Sequence, residues 1–97
     1  MSKKPTQDTW IWVVVQNPGS EEHFLGQHDE EQDVSFIPAF FEKDHAQQCL
    51  IHMTTQKGDK YEVQAVLFGE LLKDAAKNSF MIFMLDADGK ILDKITP

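Results

Sequence analysis

A chain of 97 residues, 41% hydrophobic and 26% charged, has the length and composition of one folded domain, which excludes a second domain and a disordered chain. Its 16 acidic residues outnumber 9 basic residues, all of them lysine, and the formal net charge is −7. Nucleic-acid binding needs a positive surface and favours arginine, so this composition argues against nucleic acid and against anionic membrane surfaces as partners.

Cysteine content and hydropathy bear on where the protein works. Cys49 is the only cysteine, so an intrachain disulfide is excluded. The apolar run at residues 10–15 is too short for a signal-peptide core or a membrane span. We therefore expect a cytoplasmic protein.

The N-terminal part of the chain predicts a flexible arm followed by a buried strand. Residues 1–9 are polar and form the expected arm. Residues 10–16 are β-branched or aromatic at nearly every position, which predicts a strand covered on both faces. Asn17-Pro18-Gly19-Ser20 then predicts a turn.

Two further strands are predicted before the first helix. Residues 22–27 form a weak strand candidate, and the acidic residues 28–33 read as a solvated loop. Residues 34–41 predict the next strand. Pro38 cannot donate to a sheet ladder, so its part of the strand is expected at an edge, a bulge or the strand end.

Helical periodicity appears twice in the remainder of the chain. Residues 42–53 predict a helix, and residues 67–77 predict a second one that stops near Asn78. Between them, residues 61–66 alternate apolar and polar side chains, as a half-buried strand does. The predicted core stripes are Ala46, Cys49, Leu50 and Met53 on the first helix, and Phe68, Leu71, Leu72 and Ala75 on the second.

The C-terminal segment predicts a hairpin. Residues 80–85 form a strongly apolar strand, and residues 86–89 form the turn, with Gly89 suited to a left-handed conformation. Residues 90–95 return as an edge strand, whose lysines discourage pairing with other chains.

These elements predict one α+β domain over residues 10–97. The order is β-β-β-α-β-α-β-β, with a mixed, mostly antiparallel sheet of about five to six strands. Both helices are expected to pack on one face of that sheet.

One cluster on the first predicted helix has metal-ligand chemistry. His45, Cys49 and His52 follow at i, i+4 and i+7 and share a helix face, with Glu42 one turn earlier. The alternative is structural, because Cys49 lies inside the apolar stripe and the histidines lie at its border. A catalytic cysteine is not expected in an apolar stripe, since a nucleophilic thiol needs exposure and a lowered pKa.

Motifs typical of enzymes and cofactor sites are missing from the sequence. Asp86-Ala-Asp-Gly89 has its glycine at the fourth position, whereas a calcium loop has it at the sixth. GxSxG, HExxH, CxxC, GxGxxG and the phosphate-loop spacing do not occur. We therefore expect a non-enzymatic domain without a cofactor.

Aromatic residues provide the candidate interaction surface. Trp10, Trp12, Phe40 and Phe41, with Phe36 nearby, belong to the core unless some are exposed. Exposed aromatics would mark a protein interface, because tryptophan and other aromatic side chains are enriched there.

Three stretches together resemble the amino-terminal domain of SseB-like proteins. They are residues 36–41 leading into a helix, residues 63–72 running from a strand into a second helix, and residues 80–89 ending in the Asp-Gly turn. The resemblance covers about residues 34–92 and implies a cytoplasmic bacterial protein without an assigned enzymatic activity. The hairpin at residues 80–95 also resembles the carboxy-terminal hairpin of thioredoxin-like proteins, as a scaffold only, since CxxC is absent.

The functional expectation is therefore a protein-interaction or self-associating module using Trp10, Trp12, Phe40 and Phe41, with a protein partner or a second copy of itself. The alternative is a metal- or small-molecule-binding accessory domain using His45, Cys49 and His52.

Overall fold

The computed structural model describes residues 4–19 and 22–97. It confirms an α+β fold, with a mixed, mostly antiparallel sheet and two helices. The elements in chain order are β1 (Trp10–Gln16), β2 (His23–Phe24), β3 (Gln27–Asp29), β4 (Val34–Phe40), α1 (Lys43–Leu50), β5 (Tyr61–Leu67), α2 (Phe68–Asn78), β6 (Met81–Leu85) and β7 (Ile91–Ile95).

Strand β1 organises one half of the sheet. All seven of its residues pair with β5 along one edge. Along the other edge, Trp12 and Val13 pair with β4, and Val15 and Gln16 pair with β2. β4 continues the sheet to β6 and then to β7, so β5 and β7 are its two outer strands.

The segment between β1 and β4 differs from its prediction. The single weak strand expected at residues 22–27 is two short strands, β2 and β3, separated by Leu25 and Gly26. His28 and Asp29, expected in the acidic loop, pair with β4 instead. The two strands fill the edge positions that the brief β1–β4 contact leaves unpaired, so local propensity was a poor guide here.

Pro38 lies within an interior strand in regular register with β6, contrary to the expectation of an edge, a bulge or the strand end. β4 runs parallel to β6, and Pro38 is aligned with Phe83. On the opposite edge, β3 pairs up to Phe36 and β1 begins at Ala39. Proline is tolerated because the register leaves a gap beside it on that edge, where a missing N–H interrupts no ladder.

The two helices cover opposite faces of the sheet, so the prediction of one shared face is wrong. Alternate residues of each strand contribute to two separate cores, as the period of a strand requires. The α2 face contains Ile11, Val13, Ile37, Ala39, Ile82 and Met84 with Phe68, Leu71 and Ala75; the α1 face contains Phe40, Phe83 and Leu85 with Ala46 and Cys49. A first strand that is apolar on both sides needs a cover on each side, which explains the arrangement.

Helix α1 is shorter than predicted. It ends at Leu50, and residues 51–53 form a turn in which the N–H groups of His52 and Met53 donate to the carbonyl oxygens of Cys49 and Leu50. Ala46 and Cys49 are buried as expected, Leu50 is only half-buried, and Met53 still packs on the same core from the turn.

The start of α2 is held by the segment before β1. The N–H groups of Phe68 and Gly69 donate to the carbonyl oxygens of Thr9 and Gln7, at 2.9 and 3.1 Å. These bonds satisfy two donors that a helix N-terminus leaves open. Part of the predicted arm is therefore bound to the domain, and residues 1–3 of that arm lie outside the described residues.

Candidate functional site

The four aromatic residues predicted to mark an interface do not share one surface. Trp10 is 62% exposed, whereas Phe40 is fully buried in the α1-face core. Trp12 is half-buried on that core, with the Lys43 ammonium 5.7 Å from its ring centre, and Phe41 packs on the opposite core. Phe40 is therefore a core residue, and Trp10 remains as the large exposed aromatic of the set.

The predicted metal ligands are not brought together. His52 follows the end of α1, so the helical spacing that would align it with His45 and Cys49 does not extend to it. The Nε2 atom of His45 lies 3.1 Å from Oε2 of Glu42, and Cys49 is buried. Within the described part of the chain, no three His, Cys, Asp or Glu side chains form a group that could hold a metal ion.

Cys49 is positioned as a core residue. Burial, and then the negative charge of Asp86, raise the pKa of its thiol. A methyl group added at Gly89 would lie 3.5 Å from the Cys49 sulfur, so the thiol packs against the β6–β7 turn. A buried thiol that stays protonated near neutral pH is a poor nucleophile.

A polar network that the sequence reasoning missed lies at the end of β1. Gln16 is 8% exposed; its amide nitrogen donates to Asp59, and its amide oxygen lies 2.9 Å from Nε2 of His23. Its side chain lines an open cleft of about 960 Å³, together with His23, Phe24, Tyr61, Gln64 and Phe80. The only signal in the sequence is a glutamine at the end of an apolar strand; one partner, His23, lies on the next strand, and the other, Asp59, lies 43 residues after Gln16 in the chain.

The direction of backbone groups on β1 fixes which groups of β5 point outward. The carbonyl oxygen of Val14 accepts a 2.8 Å hydrogen bond from Leu25, which places it on the side of β1 away from β5. Because successive residues of a strand direct their N–H and C=O groups to opposite edges, Val13 and Val15 bond to β5. Their partners there are Gln64 and Glu62.

Bonds at both ends of the pairing agree with this assignment. Asn17 donates to the Lys60 carbonyl oxygen at 2.7 Å, and Phe68 donates to the Thr9 carbonyl oxygen at 2.9 Å. Even-numbered residues of β5 therefore face β1. The N–H and C=O groups that point to the open edge are those of Tyr61, Val63, Ala65 and Leu67.

This open edge, here called the β5 edge, carries apolar side chains on one face. Val63 packs on the α1-face core and Val66 on the α2-face core, so the odd-numbered residues Tyr61, Val63, Ala65 and Leu67 line the α1 side. Ala65 is exposed there, next to Trp12, and Trp10 is aligned with Leu67. Among the described residues, β5 pairs with β1 alone.

The other outer strand, β7, is less suited to accept a partner strand. Its pairing with β6 is interrupted between Met84 and Leu85, and Leu92 has no partner in the register. β7 also carries Asp93 and Lys94 within five residues, whereas Glu62 is the only charge among the seven residues of β5. Bulges and charges are the usual protections of a sheet edge, so β5 is the unprotected one.

No helix in the described ranges, residues 4–19 and 22–97, is long and apolar enough to cross a membrane. Comparisons with protein-family models, curated proteins and solved structures give no match, so the resemblance to SseB-like proteins stays a prediction.

Proposed function

We propose that this chain is a non-enzymatic protein-interaction domain that accepts a strand of its partner along the β5 edge. The main observation in support is the regular seven-residue pairing of β5 with β1, which leaves a continuous row of N–H and C=O groups on β5 directed outward. Strand addition of this kind takes affinity from main-chain hydrogen bonds and selectivity from alternate side chains.

Energetics indicate what the side chains must contribute. Four outward residues carry one donor and one acceptor each, and a hydrogen bond contributes about 0.5–1.5 kcal/mol net. The fixed cost of association is about 4–15 kcal/mol, which is of similar size to the whole row of bonds. Contacts with exposed apolar groups such as Trp10 and Ala65 therefore decide whether binding is measurable.

A titration with a strand-forming probe tests this proposal. The probe is a short synthetic peptide that alternates valine and threonine and ends in lysines for solubility. We expect the amide signals of Val63, Ala65 and Leu67 to shift and to gain protection from hydrogen exchange as the peptide binds. Unchanged signals at saturating peptide would contradict the proposal.

Proline substitution supplies a matched pair of variants for the titration. Ala65→Pro removes an outward N–H and leaves the β1 ladder intact, so it is expected to weaken peptide binding in a folded domain. Gln64→Pro removes an N–H that bonds to β1, so it is expected to destabilise the fold itself. Equal peptide binding by Ala65→Pro and wild type would argue that the edge is not used.

The location of the domain, its lack of chemistry and the class of its partner are inferred from the sequence and from its resemblance to SseB-like proteins. The domain acts in the cytoplasm and carries out no chemistry, as the resemblance to SseB-like proteins implies, and it needs no cofactor, since the sequence lacks the motifs of cofactor sites. Its acidic, arginine-free composition supports a protein partner over nucleic acid or a membrane.

The cleft at Gln16 supports a second candidate function, which is binding of a small polar molecule. Its volume of about 960 Å³ falls within the range of ligand pockets, and it combines apolar walls with amide, imidazole and phenol groups. An NMR screen with polar fragments tests it. Binding that shifts Gln16 and Tyr61 and is lost in Gln16→Ala would favour this function, and no shift across the screen would reject it.

A further inference from the structure

We infer that the partner strand at the β5 edge is β5 of a second copy of this chain, paired antiparallel about Gln64. The inference rests on the proposed function and adds the identity of the partner. It is supported by the hydrogen-bond register of β5, by the side chains that this register places opposite each other, and by the position of the single charge on the strand.

The register is the one that uses every outward group of β5. Tyr61–Leu67 is centred on Gln64, and the outward residues are the odd-numbered ones on either side of it. A two-fold axis at Gln64 places Tyr61 opposite Leu67 of the second copy and Val63 opposite Ala65 of the second copy. These are hydrogen-bonded pairs in an antiparallel ladder, so no donor or acceptor of the strand is left without a partner.

Side chains in this register are compatible across the new pairing. On the α1 side, apolar groups face apolar groups, and the exposed Ala65 lies beside the half-buried Val63 of the second copy. On the opposite side, Gln64 meets its own symmetry mate, and two amides can exchange hydrogen bonds. An isologous contact of this kind closes on itself and gives a dimer and not a fibre.

Charge limits the strength of the dimer and makes it depend on salt. Each copy has a formal net charge of −7, so two copies repel each other at low ionic strength. Glu62 is the only charge on β5, and the register places it opposite Val66 of the second copy, away from the other Glu62. Screening by salt should therefore strengthen the association.

Cysteine cross-linking tests the register. In the proposed dimer, Gln64 and its symmetry mate form a non-hydrogen-bonded pair with Cα atoms about 4.5 Å apart, which a disulfide can bridge. Glu62 and its mate are offset by about 13 Å along the strand, beyond disulfide range. Gln64→Cys is therefore expected to give about tenfold more covalent dimer than Glu62→Cys under mild oxidation. Wild type, whose single cysteine is buried, is the background control.

Sedimentation from micromolar to millimolar concentration tests the association without a cross-link. We expect a monomer–dimer equilibrium that shifts to dimer with added salt, and about tenfold or more weakening by Ala65→Pro, which removes one N–H donor from each copy. Equal cross-linking of the two cysteine variants, or a monomer throughout, would overturn self-pairing. If the synthetic strand peptide then still binds the β5 edge, the proposed function stands with another partner; if it does not, both fail.

Discussion

The N–H of Gly69 donates a 3.1 Å hydrogen bond to the carbonyl oxygen of Gln7, which fixes the segment before β1 against the first turn of α2. A Cβ at position 69 would lie 3.2 Å from both that oxygen and the Gln7 Cβ. The close approach explains why a helix begins with glycine at its second residue.

Gly69→Ala is expected to release residues 7–9 from α2. The added methyl group pushes against Gln7, while alanine improves helix propensity by up to about 1 kcal/mol, so the net change in unfolding free energy stays below about 1 kcal/mol. Hydrogen exchange of the backbone amides at positions 68 and 69 is the measurement, and faster exchange than in wild type is the expected result. Lys73→Ala, on the exposed side of the same helix, is the control and should leave both amides protected.

Gln16→Ala is expected to lower the unfolding free energy by about 1–3 kcal/mol, because it removes the link between His23 and Asp59 from a buried position. Urea unfolding measures the change. Gln47→Ala, at an exposed position of α1, should change stability by less than about 0.5 kcal/mol. Equal effects of the two substitutions would show that the network contributes nothing to folding.

Phe40→Ala and Trp10→Ala are expected to act on different properties. Phe40 is fully buried, so its truncation should cost about 3–5 kcal/mol of stability. Trp10 is 62% exposed, so its truncation should cost less than about 1 kcal/mol and should weaken binding at the β5 edge. Thermal unfolding and peptide titration of each variant separate the two effects, and a strongly destabilised Trp10→Ala would contradict the assignment.

Stability is expected to fall as the pH rises above the ordinary cysteine pKa. Burial and Asp86 raise the pKa of Cys49 in the folded state above its usual value of 9.0. As the pH rises, the unfolded chain therefore loses the thiol proton before the folded protein does. The stabilising contribution of Cys49 is fully present below the unfolded-state pKa and is lost as the pH rises through the folded-state pKa. Urea unfolding at pH 7.5 and at higher pH should show a smaller loss for Cys49→Ala than for wild type. Equal losses would show that Cys49 does not contribute.

Strong periodicity predicted the long elements well. β1 matches its expected bounds. In the predicted α2 stripe, Phe68, Leu71 and Ala75 are buried, and Leu72 is half-buried against the same core. β7 is an outer strand, as its lysines indicated. In each case the local pattern and the tertiary environment favour the same structure.

The remaining features depend on contacts that no local pattern contains. The helices lie on opposite faces because of which strands they connect, and Pro38 is tolerated inside β4 because β3 and β1 leave a gap beside it. The β5 edge was not foreseen, since residues 61–66 predict a half-buried strand without indicating its place in the sheet. Likewise, the Gln16 network joins neighbouring strands β1 and β2 to Asp59, which lies 43 residues after Gln16 in the sequence.

Amide hydrogen exchange along β5, measured at low and high protein concentration, tests the role of this edge most directly. Glu62, Gln64 and Val66 donate to β1 and should be protected at both concentrations. Val63, Ala65 and Leu67 should exchange rapidly in dilute protein and become protected at high concentration as the second copy binds. Rapid exchange of these three amides at millimolar concentration, or protection of them in the dilute monomer, would contradict the account.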